Sequence, residues 1–296
     1  MAFTHLHVHT GYSLLDGSGK IPEMVARAKE LGMDSLAITD HGAMYGVIEF
    51  YKACKKEGIR PVIGCEVYVA PGKCTEKEKT VSDERYRHMV LLAESNEGYK
   101  NLIKIVSKGF TEGFYYKPRV DDEILGMYHE GIICLSACLA GEIPHFLKQG
   151  RYEDALNSAR KYSAMFGSDH FYLELQDHGL ADQATVNQGI IRLHNETGLP
   201  LVVTNDVHYT YADDAEAHDI LLCIQTQKKV SDEDRMRYEG GQFYLKSEEE
   251  MRALFPAFGE AYDNTHKIAE RCNVEFEFNK YKLPHFDVPE SYTSFS

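Results

Sequence analysis

Apolar residues along this chain fall into short runs separated by stretches of helical period. The runs are Phe3–Leu6, Ser35–Thr39, Val62–Val69, Met89–Ala93, Ile132–Ser136, Phe171–Leu175 and Leu201–Thr204. Most are apolar almost without interruption, the pattern of strands buried on both faces of a parallel sheet. Between them, Ile21–Leu31 predicts a helix. Pro22 stands in its first turn, Gly32 follows its end, and Met24, Val25, Ala28 and Leu31 share one face. Gly98–Val106, Tyr152–Phe166 and Ala184–Thr197 carry the same period, the last stopping at Gly198-Leu199-Pro200. Seven strands alternating with helices predict a parallel α/β fold. A closed or nearly closed barrel is the first choice, and a doubly wound open sheet the second. The charged stretch Thr75–Arg87 lacks an apolar period and reads as an exposed loop. After Glu270 the pattern changes. Residues 1–270 are therefore expected to form one domain, and 271–296 to begin a linker toward further chain.

Length and composition narrow the function classes. A chain of 296 residues, 43% of them hydrophobic, can bury a full core. No apolar run approaches the roughly 20 residues of a membrane span. Met1–His9 lacks the basic and apolar regions of a signal peptide. The seven cysteines are odd in number, and Cys134 and Cys138 stand too far apart for a zinc-ribbon pair. Reduced thiols in a cytoplasmic protein are the simplest reading. The net charge of −14 has the wrong sign for a stand-alone nucleic-acid binder. It leaves a small substrate, a polymer held by another domain, or bound cations that reverse the local potential.

The polar residues at the strand ends carry the chemistry. His5, His7 and His9 alternate, so an extended segment turns all three to one face. Asp40 and His41 follow the second run in Thr39-Asp40-His41-Gly42, Glu66 lies within the third, and Asp206 and His208 follow the seventh. The carboxyl ends of parallel barrel strands converge on one mouth. Imidazoles suit Zn, Fe and Mn, and carboxylates bridge ions. Together these positions predict a metal site of His7, His9, His41, Glu66, Asp206 and His208. His5 reads equally well as a packed neighbour. His88 precedes its strand, so barrel geometry does not select it. By themselves Cys138 reads as a small core residue and Asp16 as a turn residue. His129, His145, His170, His178, His194, His218, His266 and His285 have no such placement and read as ordinary.

His7-Val8-His9-Thr10, Thr39-Asp40-His41-Gly42, Gly64-Cys65-Glu66 and Asn205-Asp206-Val207-His208 resemble the ordered motifs of the PHP (polymerase and histidinol phosphatase) superfamily. His7–Gly17, Arg87–Ala93, Gly113–Arg119 and Gly240–Met251 are similar to the N-terminal PHP domains of bacterial replicative DNA polymerase III α subunits. The resemblance covers nearly the whole chain. It implies a distorted (β/α)₇ barrel with a metal site at the carboxyl ends of the strands. Two to three divalent ions are implied, Zn, Mn or Fe, with Mg also compatible. His7, His9, Glu66 and Asp206 would hold the first. Glu66, His88 and Cys138 would hold the second, and Asp16, His41 and His208 the third. His7, His9, Glu66 and Asp206 would also be the catalytic set. Lys117 and Arg119 are phosphate contacts by charge and motif position.

The activity this implies is metal-dependent 3′–5′ exonuclease hydrolysis at a DNA 3′ end. The remaining domains of the α subunit and other replisome subunits would be partners, with no membrane, and the polymerase active site would lie outside this chain. Two other readings stay open: a stand-alone phosphatase on a small phosphomonoester such as histidinol phosphate, and a non-catalytic structural module.

Overall fold

A computed structural model describes residues 3–77, 85–281, 283, 284, 286 and 287. Residues 78–84 of the Thr75–Arg87 stretch, His285 and all of the chain after Asp287 lie outside the described residues. The sheet is built from β1 (Ser35–Ile38), β2 (Arg60–Val69), β3 (Arg87–Ala93), β4 (Phe114–Tyr115), β5 (Lys117–Val120), β6 (Ile132–Leu135), β7 (Phe171–Leu175) and β8 (Leu201–Val203). β1 pairs with β2, β6 with β7 and β7 with β8, all in parallel. β3 is the exception: it runs antiparallel to both of its neighbours, β2 and β6. The expectation of an all-parallel sheet is corrected at this strand, and also at β4, which is antiparallel to β5.

The first apolar run forms no regular strand, yet it closes the curled sheet. The Ala37 amide donates to His5 O at 3.0 Å and the Thr39 amide to Val8 O at 2.9 Å. On the other side the His9 amide donates to Val207 O at 2.7 Å, and the Val207 amide to His7 O at 3.0 Å. The segment thus lies between β1 and the residues that follow β8. The ring runs from this segment through β1, β2, β3, β6, β7 and β8 and back: seven staves, as the barrel reading requires. The β4–β5 hairpin is an outgrowth, with Tyr68 of β2 paired to Arg119.

Strand side chains alternate between faces, and the inward rows change character along their length. Val62, Val90, Leu92, Ile133, Leu135, Tyr172 and Val202 form a closed apolar floor with Leu6 and Ala37. Glu66, His88, Glu174 and Thr204 lie two or four positions along the same strands, or just past them, and are polar. The barrel is therefore dry at one end and ligand-lined at the other.

The helices cover the outside through a second, larger apolar cluster. α1 (Ile21–Glu30) has Pro22 at its start, as predicted. α2 (Val47–Glu57) ends at Gly58 with φ 76°, a left-handed cap that Gly adopts without steric cost. α3 (Asn96–Thr111) is longer than its apolar core suggested, because the Ser95 hydroxyl accepts from the Gly98 amide and caps it. α4 (Asp122–Met127) and α5 (Glu142–Lys148) are short. α6 (Tyr152–Phe166) and α7 (Ala181–Thr197) match the predicted pair closely. α8 (Ala215–Thr226), α9 (Glu248–Leu254) and α10 (Gly259–Arg271) complete the set.

Ile268 and Ala269 of α10 join the floor cluster, together with Cys272. The chain goes on packing beyond Glu270. Cys272 and Val274 are buried, and Phe276 meets the rings of Tyr51 and Tyr99 at 4.7 and 5.0 Å. No helix among the described residues is long and apolar enough to cross a membrane.

Candidate metal centre

All nine residues of the expected ligand set meet at the barrel mouth. Glu66, at the centre of β2, is the hub. Its Oε1 lies 3.1 Å from His7 Nε2 and 3.0 Å from His88 Nδ1, and its Oε2 lies 2.5 Å from His41 Nδ1. Asp206 is the second hub, with Oδ1 3.2 Å from His7 Nε2 and 3.1 Å from His9 Nε2. His41 Nε2 is 2.9 Å from Asp16 Oδ2, and His208 Nε2 reaches the same oxygen at 3.9 Å. Cys138 Sγ joins through His88 Nδ1 at 3.8 Å. The donor atoms of three triplets each lie within 4.8 Å of one another: His7, His9 and Glu66; His9, His41 and His208; His41, Glu66 and His88.

The antiparallel strand explains His88. Because β3 runs the other way, its first residues, not its last, stand at the mouth. Tyr68 pairs with His88 in the register, two places past Glu66. Asp206 sits in left-handed backbone with φ 43°, a conformation that costs energy for a residue other than Gly. It turns the carboxylate into the cup.

The test of whether ions fit is which atoms are left without partners. His9 Nε2, both ring nitrogens of His41, Glu66 Oε2, Asp206 Oδ1 and Asp16 Oδ1 are buried and make no hydrogen bond. Several are in close contact with one another, but at angles that are not those of hydrogen bonds. Carboxylate oxygens and imidazole nitrogens converging on shared points without hydrogen bonds suit cations. Leaving that many buried polar atoms unsatisfied would otherwise cost roughly 1–3 kcal/mol each. The donor set, imidazole and carboxylate with one thiol, suits divalent transition ions.

Electrostatics point the same way. Burial opposes charge on Glu66, but the imidazoles of His88 and His41 outweigh it and hold the carboxyl well below its usual range. Burial likewise works against Asp206, and His7 and His208 prevail to keep it low. Burial disfavours a charged His41, yet Glu66 and Asp16 lift it to about 10. His7 is also raised, with Asp206 and Glu174 overcoming burial. His9 goes the other way, to about 3, because burial and the neighbouring rings of His41 and His208 all disfavour its charge. The carboxylates stay ionised and draw positive charge into the cup.

A supporting layer orients the ligands. Glu174, inside β7, holds His7 Nδ1 at 2.8 Å and receives the Thr204 hydroxyl at 2.5 Å and Gln176 Nε2 at 3.2 Å. This fixes His7 with Nε2 toward the cup, as a carboxylate behind a ligating imidazole does. Asp40 accepts from the Thr10 amide, the Thr10 hydroxyl and the Ser13 hydroxyl at 2.6, 2.9 and 2.7 Å. It ties the loop carrying Asp16 to the strand end carrying His41.

Two histidines that read as ordinary belong to this layer. His218 of α8 donates through Nε2 to the Asp16 carbonyl at 2.7 Å. His178 contacts the Asn205 carbonyl at 2.9 Å and stacks on Phe243 at 3.8 Å. Lys246, also buried, donates to Asn205 Oδ1 and to the Gln242 carbonyl. Burial pushes its pKa down to about 8. The phenol of Tyr238 comes within 3.4 Å of His208 Nε2. His5 does not reach the cup: its Nε2 meets the Lys246 carbonyl at 2.9 Å. Glu174 was missed from the sequence, although a carboxylate in the middle of an apolar strand would have marked it. Nothing comparable marks Tyr238 or His218.

The two expected phosphate contacts part company. Arg119 is only 4% exposed, and its guanidinium is committed to main-chain carbonyls. It donates to Cys74 O at 2.7 Å, Glu76 O at 2.8 Å, Gly113 O at 3.2 Å and Arg85 O at 3.3 Å. Four of its five N–H donors are spent clamping loops together, which speaks against the expected phosphate contact. Lys117 is partly exposed at the rim. Its ammonium lies 5.4 Å over the Tyr68 ring, which in turn lies 5.2 Å from the ring of His88.

The family model described as "PHP domain" matches residues 5–178. DNA polymerase III subunit alpha of Treponema pallidum is 49% identical over 99% of this chain and 25% of its own length. The subunit of the same name from Borreliella burgdorferi is 46% identical over 99% of this chain and 26% of its own. The chain thus spans about a quarter of the length of these curated relatives. A solved structure from Bifidobacterium adolescentis, assigned to the metal-dependent phosphoesterases, aligns over 70% of this chain and 88% of its own. Its identity is 16% and its TM-score 0.44.

Proposed function

The chain belongs to the PHP domain family, and from that premise we propose that it hydrolyses phosphodiesters at the 3′ end of a DNA strand, as the exonuclease region of a cytoplasmic replicative polymerase subunit. The observation that carries this reading is the cup of nine ligand residues, five of which hold buried polar atoms without a hydrogen-bond partner. His7, His9, Glu66 and Asp206 would hold one ion, Glu66, His88 and Cys138 another, and Asp16, His41 and His208 a third. Ions held there would lower the pKa of a water molecule and offset charge on phosphoryl oxygens.

The protein's own part is to fix that arrangement. Glu66 and Asp206 bring their charges to the centre, and Glu174 keeps His7 in the ligating tautomer. The apolar floor excludes water from below. Lys117 at the rim supplies a cation for the approaching phosphate. Relatives named as polymerase subunits support the DNA reading, and their greater length supports partners in the remaining chain and the replisome.

The net charge of −14 favours the rival reading, a small phosphomonoester substrate. Turnover with Mn²⁺ or Zn²⁺ on a single-stranded DNA 3′ end and on a phosphomonoester separates the two. Metal-dependent release of mononucleotides from the 3′ end is the expected result. Hydrolysis of the monoester alone would favour the phosphatase, and no hydrolysis of either would favour a structural module.

A further inference from the structure

We propose that Tyr238 is a substrate-binding residue of this site, its phenol donating a hydrogen bond to a phosphoryl oxygen of the substrate; the proposal rests on the phosphoester reading above, though not on DNA as the ester.

The argument begins with the tautomer of His208. Its Nδ1 lies 2.7 Å from the Asp206 carbonyl, which can only accept, so Nδ1 carries the proton. His208 Nε2 is then a bare lone pair facing the cup. The Tyr238 hydroxyl lies 3.4 Å from that nitrogen, its one hydrogen-bond partner among the described residues. An ion held by His208 would take the same lone pair. The phenol would then lose its acceptor while remaining at the ion's side.

A hydroxyl partly shielded from water and left without a partner is costly, and the nearby ligands do not relieve it. The carboxylates of Asp16, Asp206 and Glu66 would be spent on ions. An anionic phosphoryl oxygen brought to those ions has the right charge and position to accept. In a cup of carboxylates and imidazoles, Tyr238 supplies a neutral donor that does not compete for metal.

The ring is held for such a task. It packs at 4.8 Å against His208, 5.0 Å against His218 and 4.7 Å against Phe243. Phe243 is itself fixed by stacking on His178 and by its amide, which donates to the Tyr209 hydroxyl at 3.2 Å. The 3₁₀ turn that follows, Glu239–Gly241, includes Gly240 at φ 82°, where a side chain would be strained. Aromatic packing anchors the ring, so the hydroxyl can be removed without removing the anchor.

Tyr238→Phe is therefore the informative variant, with three readouts on the whole chain. Metal content per molecule should equal that of the parent. Affinity of the Mn²⁺-loaded protein for inorganic phosphate, by calorimetry, should fall roughly tenfold, the loss of one hydrogen bond to a charged acceptor. Turnover of bis(p-nitrophenyl) phosphate should fall roughly a hundredfold, the scale seen when one preorganised donor is removed. Unchanged phosphate affinity and turnover would overturn the proposal. Loss of metal in the variant would overturn it too, since the hydroxyl would then be supporting a ligand rather than the substrate. Failure of the parent protein on DNA ends would count against the DNA reading alone, and the Tyr238 comparison would still be read from phosphate and the small diester.

Discussion

Two buried polar clusters on neighbouring strands of the same sheet answer the burial problem in opposite ways. Around Arg119, on β5, the guanidinium is matched to the carbonyls of Cys74, Glu76, Arg85 and Gly113. Around Glu66, on the neighbouring β2, atoms of His9, His41, Asp16, Asp206 and Glu66 itself have no partner. Burying a polar group is expensive unless it is satisfied. The first cluster meets that cost within the chain and gains rigidity. The second defers it to something that binds. Both were marked by charge and motif, and only geometry separates the fastener from the site.

The sharpest way to break this contrast is to remove the hub of each cluster. Glu66→Gln and Asp206→Asn should each reduce hydrolysis to background while circular dichroism stays that of the parent, since neither change disturbs the apolar floor. Retained activity in Glu66→Gln would refute a carboxylate shared between ions. Arg119→Ala should do the reverse. It leaves buried carbonyls unpaired and should cost roughly 2–4 kcal/mol of stability, read from denaturant unfolding. Turnover per folded molecule should stay near that of the parent. A selective loss of turnover would put Arg119 back among the substrate contacts.

Next in size is the supporting layer. Glu174→Gln keeps the shape but not the charge behind His7, and should lower metal affinity or activity by about 10- to 100-fold. Titration with Mn²⁺ measures this directly. An unaltered affinity would mean that His7 needs no carboxylate to hold its tautomer.

An effect of similar size concerns pH. Burial lowers the pKa of His178 to about 4. The folded state therefore keeps it neutral where the unfolded chain, near 6.5, already takes a proton. Stability from this group is whole above about pH 6.5 and declines as pH falls toward 4. The limiting loss is on the order of 3 kcal/mol. Urea unfolding between pH 7 and 4.5 should show a shallower pH dependence in His178→Gln than in the parent, and equal slopes would contradict the assignment.

Much of this was legible in the sequence because barrel geometry is periodic. His41, Asp206 and His208 follow strands whose apolar runs are plain, and the alternation of His7 and His9 survives although their segment forms no regular strand. Glu66 stands in a strand whose neighbours are all apolar. His88 was opaque to that reasoning because strand direction is not written in apolar pattern. β3 looks like its parallel neighbours and runs against them. The positions of His88, Cys138 and Asp16 came from resemblance, and the structure supplies the reason for the first. Arg119 shows the opposite failure: charge and motif position say nothing about whether a guanidinium has donors to spare. His178, His218 and Tyr238 escaped notice because they meet the ligands, or residues beside them, through carbonyls, a hydroxyl and ring faces, contacts that leave no spacing in the chain. The packing of Cys272, Val274 and Phe276 was hidden by the polar Asn273 and the charged Glu275 between them.

The central claim is that the mouth of this barrel is a multi-ion site. Elemental analysis of the protein purified without chelator tests it most directly. The account predicts two to three divalent transition ions per chain, falling in Glu66→Gln and unchanged in Arg119→Ala. No bound metal in the parent, or the same content in Glu66→Gln, would contradict it.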